Sequence, residues 1–207
     1  MSRRRAVMAA RCELPAGYRR CKYLESSRVQ WIDTLITPVF GDVIHTRAER
    51  IGKDAPLFYA GTKNQVGIVP SEYGYYRNAV YTKYFQGASY AVEFPTKFFN
   101  IDSAFHDLVF GPNGLFVDGV NVCGISNDRM AADSSLRLFR NHKVYGFARM
   151  ASFTLERDGQ VLLELIPALD ASGKPNMYDT VSGNTFYNKG TGEFRYELMD
   201  GTYVTPV

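Results

Sequence analysis

The sequence predicts an all-β fold of antiparallel strands, either a two-sheet sandwich or a barrel, on three observations. Alternating apolar and polar residues recur from one end of the chain to the other, separated by turn dipeptides. No amphipathic stretch long enough for three helical turns competes with them. Aromatic residues are abundant, with 14 Tyr and 14 Phe in 207 residues, and such side chains favour pleated, half-buried strands. A chain of this length buries roughly 70% of the surface its unfolded form exposes, so one domain needs neither disulfides nor a metal to hold together. A single domain is therefore expected, with two small ones as the alternative.

The first element is a basic arm over residues 1–13, followed by the sandwich domain over residues 14–207. Residues 1–30 carry eight Lys or Arg against Glu13 and Glu25, whereas the remainder is slightly acidic, with 16 basic and 19 acidic groups. Such a body lacks the clustered cations that phosphate requires, which argues against nucleic acid as a partner. Arg3, Arg4, Arg5 and Arg11 are either a solvated tail or contacts to a partner or another copy of the chain. The apolar run Ala6–Ala10 stops at Arg11, short of the ~7–15 residues at the core of a secretory signal. Nothing approaches the ~20 apolar residues of a membrane span. Cys12, Cys21 and Cys123 are odd in number and lack metal spacing, so free thiols are expected, a Cys12–Cys21 bridge being the alternative in an oxidising compartment.

Further along, HDLVFG places Leu108 and Phe110 on one face, Pro112-Asn113-Gly114 is expected to reverse the chain, its Asn-Gly dipeptide being a type I′ signal, and Leu115 and Val117 share a face on the return. Asp118-Gly119 then turns into VNVCGI. GFARMASFTLER is long enough for a strand of about ten residues, Asp158-Gly159 turns it, and VLLELI returns with Val161, Leu163 and Leu165 expected on one face. The last fifty residues add turns at Ser172-Gly173, Ser182-Gly183 and Lys189-Gly190, with short aromatic strands NTFYN and EFRYE between them. Turns at this spacing fit roughly twelve strands in two packed sheets.

Catalytic vocabulary is sparse. There is no G-x-S-x-G, H-E-x-x-H, phosphate-binding Gly-rich loop or C-x-x-C, and His45, His106 and His142 are dispersed and read as structural residues. Glu156 and Asp158 have the spacing of paired carboxylates on one strand, the arrangement a β-sandwich glycosidase uses, but Asp158-Gly159 reads as a turn and no third carboxylate follows. Glu164 faces away from Leu163 and Leu165, toward solvent. No catalytic residue, metal ligand or cofactor is assigned; Asp118, Asp128 and Asp133 lack the spacing of calcium ligands. The most suggestive stretch is YGYYRNAVYTKYFQGASY at 73–90, with seven aromatics. Tyr rings on an exposed sheet face can stack on sugar rings while a nearby Arg hydrogen-bonds, so Tyr75, Tyr76 and Arg77 are candidate carbohydrate contacts; the same residues suit a core or a subunit interface.

Two motifs near the ends of this sequence, LPAGYRRCKYLESSRVQWIDTLI at 14–36 and IPALDASGKPNMYDTVSGNTFYNKGTGEF at 166–194, resemble short bacterial and phage-borne members of the concanavalin A-like lectin/glucanase superfamily, the LamG-type domains. The resemblance covers about residues 14–197. It implies a jelly-roll sandwich whose two chain ends contribute strands to one domain, and a non-catalytic module on a phage or prophage particle or a bacterial surface. The implied role is recognition of carbohydrate or surface glycan, with a structural role in virion or surface assembly, binding no sugar, as the alternative. In that setting the arm would contact other virion proteins or further copies. Two departures stand out: Arg28-Val29 replaces a Gly-Thr turn and Leu35 replaces a glycine, so a differently shaped hairpin is expected there.

Overall fold

The computed structural model of this chain describes residues 13–51, 56–61, 65–70, 80–86, 92–93, 104–123, 132–141 and 145–206. Among them there is no helix, and seventeen strands rather than about twelve, nine of them only two to four residues long. Every pairing is antiparallel, as short turns between strands require.

The larger, eleven-stranded sheet is organised around three long strands: β1 (Arg19–Ser27), β12 (Phe147–Arg157) and β13 (Gln160–Leu169). On one side β12 leads through β3 (Val43–Arg50), β8 (His106–Gly111) and β9 (Gly114–Val117) to β10 (Val120–Cys123). On the other, β13 leads through β14 (Pro175–Asp179) to β15 (Thr185–Tyr187) at the edge. Two further strands, β16 (Arg195–Leu198) and β17 (Tyr203–Val204), attach beside β1. The smaller sheet runs in the order β2 (Ile32–Asp33), β11 (Arg137–Leu138), β4 (Phe58–Ala60), β5 (Gln65–Pro70), β6 (Val80–Gln86) and β7 (Val92–Glu93).

The sheets meet face to face through aromatic rings. Phe58 of the small sheet lies 5.9 Å from Phe110 and 5.7 Å from Phe153 of the large one, and all three are fully buried. Ile32, Phe58 and Leu138 sit side by side in register across β2, β11 and β4, and each is fully buried, so Trp31, Asp33, Tyr59 and Arg137 take the opposite face by alternation.

Strand β12 shows why a long strand can serve one core without a uniform pattern. Ala148 and Met150 point inward, and then Phe153 and Leu155 do, a switch from even to odd positions. The pairing with β3 jumps at Ala151, where one extra residue bulges out of register and turns the remaining side chains over. A second register shift lies opposite Leu155–Glu156, at Leu162. It removes Val161 from the face of Leu163 and Leu165: Val161 is 38% exposed, while the other two are buried, so the expected three-residue alignment holds for two.

The turns at Asp118-Gly119 and Asp158-Gly159 match the expectation, since all four residues have positive φ, as a type I′ hairpin requires. The third hairpin differs. Gly111 pairs with Gly114, so the reversal falls at Pro112-Asn113-Gly114 as expected, but its central residues are Pro112 and Asn113 and not the Asn-Gly pair. Pro112 cannot adopt positive φ, which excludes the primed turn and favours proline at the first central position. Cys21 is a free buried thiol, its pKa pushed up to about 12 by burial; Cys12 lies outside the described residues.

Candidate functional site

The two terminal motifs are halves of one corner. Tyr18 shares a hydrogen bond with Thr185 at 3.2 Å and packs edge-on against Tyr178, whose hydroxyl donates to the Glu13 carbonyl. Buried Gln30 donates to the Glu193 carbonyl, Lys189 N–H donates to the Trp31 carbonyl, and Trp31 N–H donates to Asn188 Oδ1. Gly190 passes so close that a Cβ there would lie 1.8 Å from the Val29 carbonyl oxygen, which only glycine permits. Arg28 and Leu35 stand at φ 81° and 61°. Both stand in the left-handed region that glycine takes freely and other residues adopt only with local strain.

Within the C-terminal motif the polar residues at 170, 179 and 188 each hold a turn. Asp170 accepts from Ser172 N–H, Ser172 Oγ, Lys174 N–H and the Tyr187 hydroxyl. The Ser172 hydroxyl above all, outweighing desolvation, lowers its pKa to about 2. Asp179 is nearly inaccessible and accepts from Glu164, Val181 and Ser182 N–H and from Ser182 Oγ. Asn188 accepts from Gly190 N–H and donates to the Gly192 carbonyl. The motif is therefore a turn code in which Asp and Asn side chains replace backbone partners. Glu164, expected to face solvent, is half-buried and accepts from the Thr180 hydroxyl.

Above these turns lies an open cleft of about 510 Å³, where β2 at the edge of the small sheet faces β15 at the edge of the large one. Asp33, Leu35 and Ile36 form one wall, and Ser182, Asn184, Phe186, Tyr187 and Lys189 form the other. Asn184 and Lys189 are exposed, while Phe186 and Tyr187 are half-buried. The lining thus brings aromatic side chains, one of them Phe186 packed against the core, together with an amide, a hydroxyl, a carboxylate and an ammonium. Of its two carboxylates, Asp179 has its oxygens occupied by four donors, and Asp33 Oδ1 accepts the Leu35 N–H.

A second cluster of charge lies on the large sheet. Arg195, Glu25, Arg149 and Glu49 stand in register across β16, β1, β12 and β3, alternating in sign. Arg149 donates to Glu25 at 2.7 Å and to Glu49 at 3.1 Å, Arg195 donates to Glu25 at 3.3 Å, and the Tyr203 hydroxyl donates to Glu25 at 3.0 Å. Glu25 and Glu49 are 2% and 3% exposed. Burial pulls the Arg149 guanidinium toward neutrality, and its bonds to the two carboxylates outweigh that, holding its pKa above the ordinary value. Both carboxylates are committed to a shared cation, an arrangement that clamps strands together.

Tyr75, Tyr76 and Arg77, and likewise Arg3, Arg4, Arg5 and Arg11, lie outside the described residues. The cleft residues and the charge row were not singled out by the sequence. Of the histidines, His45 Nε2 lies 3.6 Å from Glu156 and His106 Nδ1 lies 2.7 Å from Asp118, while His142 is outside the described residues. Among the described residues no group of His, Cys, Asp and Glu could hold a metal, and no helix is long and apolar enough to cross a membrane. No protein-family model matches the chain, and no curated protein matches it.

Proposed function

We propose that this domain is a non-catalytic recognition module that holds a carbohydrate in the cleft between the edges of its two sheets, and that the sandwich is of the concanavalin A-like jelly-roll type. The carrying observation is the lining of the cleft: half-buried Phe186 and Tyr187 beside exposed Asn184 and Lys189, with Asp33 opposite. Sugars present apolar ring faces and a fringe of hydroxyls, and a wall of this kind offers both stacking surface and hydrogen-bonding groups. The occupied oxygens of Asp179 leave no second carboxylate poised for hydrolysis in the cleft. The jelly-roll assignment draws support from the pairing of β1 with β13, Arg19 opposite Leu169 and Arg20 opposite Ala168, which joins the two motifs within one sheet. In a phage particle or on a bacterial surface such a module would contact surface glycan.

The test is saturation-transfer NMR and calorimetry of the intact chain with a panel of neutral oligosaccharides, alongside Asn184→Ala. Retention of at least one oligosaccharide, with affinity reduced about fivefold or more by the substitution at unchanged melting temperature, is expected. Absence of any binding would overturn the reading and leave assembly as the role of the domain.

A further inference from the structure

On the outer face of the small sheet, one residue before β2, Trp31 carries two guanidinium groups. Arg140 lies 4.6 Å from the Trp31 ring centre and 4.8 Å from that of Tyr145, so its guanidinium is in cation–π contact with two aromatic rings. Arg137 lies 5.6 Å from the same indole. Arg47, Arg149, Arg157 and Arg195 each pair with a carboxylate, whereas half-buried Arg137 and Arg140 have no ion pair among the described residues. The Nε atoms of both are buried and lack a hydrogen-bond acceptor. Asp33 stands opposite Arg137 in the strand register, yet its Oδ1 accepts from the Leu35 backbone and no ion pair joins the two.

Guanidinium cannot shed its proton at physiological pH, so a half-buried unpaired pair is costly unless an anion completes it. Stacking covers the faces of such a group and leaves its N–H edge, whose fork matches the oxygens of a carboxylate. Contact with two rings also restricts the side chain, reducing the entropy a ligand would have to remove.

We infer that Trp31, Arg137, Arg140 and Tyr145 form an oxyanion site that selects acidic saccharides, the carboxylate of a uronic or similar sugar docking on the two guanidinium edges. The inference rests on the cleft binding carbohydrate. Asp33, which lines the cleft, is two residues along the chain from Trp31, about 7 Å in an extended strand, so adjacent sugars of one chain can reach both.

The experiment is calorimetry of the intact chain with three probes of similar length: a neutral oligosaccharide, an oligogalacturonate and oligoglutamate. It is run on the natural sequence and on Arg140→Lys and Arg137→Gln, with melting curves for each. Lys keeps the charge but loses the planar fork, so the expected result is oligogalacturonate bound at least tenfold more tightly than the neutral probe, with that preference lost in both variants. Equal affinity for the neutral and acidic saccharides would overturn the oxyanion site while leaving the cleft reading intact. Oligoglutamate bound as tightly as oligogalacturonate, and equally sensitive to Arg140→Lys, would overturn saccharide selection in favour of an acidic peptide. Failure of every saccharide to bind would remove the cleft reading and this one with it.

Discussion

Replacing Arg149 with Met tests the charge row, because it removes the one cation shared by two nearly inaccessible carboxylates. Met fills much of the volume of the arginine stem, so the loss is electrostatic rather than a cavity. Glu25 retains Arg195 at 3.3 Å and the Tyr203 hydroxyl at 3.0 Å, but the bond to Arg149 is the single ion pair that Glu49 makes among the described residues. Orphaning a buried charge costs about 3–5 kcal/mol, and with Glu25 still paired most of that falls on Glu49. The expected destabilisation is therefore about 3–4 kcal/mol in urea unfolding at constant m-value, or a drop of roughly 6–15 °C in melting temperature for a domain of this size. Adding Glu49→Gln should recover about 2 kcal/mol, since the amide removes the orphaned charge and keeps the shape. A loss below about 1 kcal/mol, or no recovery in the double variant, would show the row to be solvated and the clamp argument wrong.

Four further outcomes are expected. The Asp170 carboxyl lies below its unfolded value, so its contribution to stability is complete above about pH 4 and is lost as pH falls toward 2; urea unfolding in that window should show a shallower pH slope for Asp170→Asn, and parallel slopes would refute its role. Leu35→Gly relieves an exposed left-handed residue and should stabilise by up to about 1 kcal/mol after the added unfolded-state entropy, a result that a lower melting temperature would contradict. Phe58→Ala removes the ring joining the two sheets and should cost about 3–5 kcal/mol by denaturant titration; under about 1.5 kcal/mol would mean the sheets are not coupled through it. Gly190→Ala drives a methyl into the Val29 carbonyl and should separate the two motifs, read as faster hydrogen exchange at Trp31 and Lys189 N–H.

The legible parts of the fold were those dictated by local chemistry. Asp158-Gly159 announced a turn because only that backbone suits two adjacent positive φ values, and the strands on either side followed. The reversal at Pro112-Asn113-Gly114 was legible but its type was not, because the fixed φ of Pro112, and not the Asn-Gly dipeptide, decides the turn. The bulges at Ala151 and Leu162 were invisible, since an inserted residue depends on the partner strand and not on the bulged one. The charge row was invisible for the same reason: Glu25, Arg149 and Glu49 become neighbours only once three strands take their register. Trp31, Arg137 and Arg140 are likewise distant in sequence, and no spacing rule brings a guanidinium to an indole.

The terminal motifs carry the fold and the cleft at once, and that constrains most of their residues. A turn held by Asp170, Asp179 or Asn188 needs its carboxylate or amide, its small or hydroxylic followers and its glycines, so nearly every position has a backbone duty. Those duties leave little of the motif free for chemistry: Asp179 is spent on four donors and Tyr187 on Asp170. The cleft is correspondingly lined by what the turn code leaves over, Asn184, Lys189 and the ring of Phe186, together with Asp33 and Leu35 from the other end of the chain. Leu35 is the telling member, 74% exposed and held at φ 61°, an apolar side chain kept at the lip of the cleft in a conformation that glycine would hold at lower cost. Strain that persists at an exposed site is not repaid by core packing. If Leu35 is instead retained for contact with a ligand, Leu35→Gly should gain stability and lose carbohydrate affinity together, whereas a leucine without function would separate the two effects.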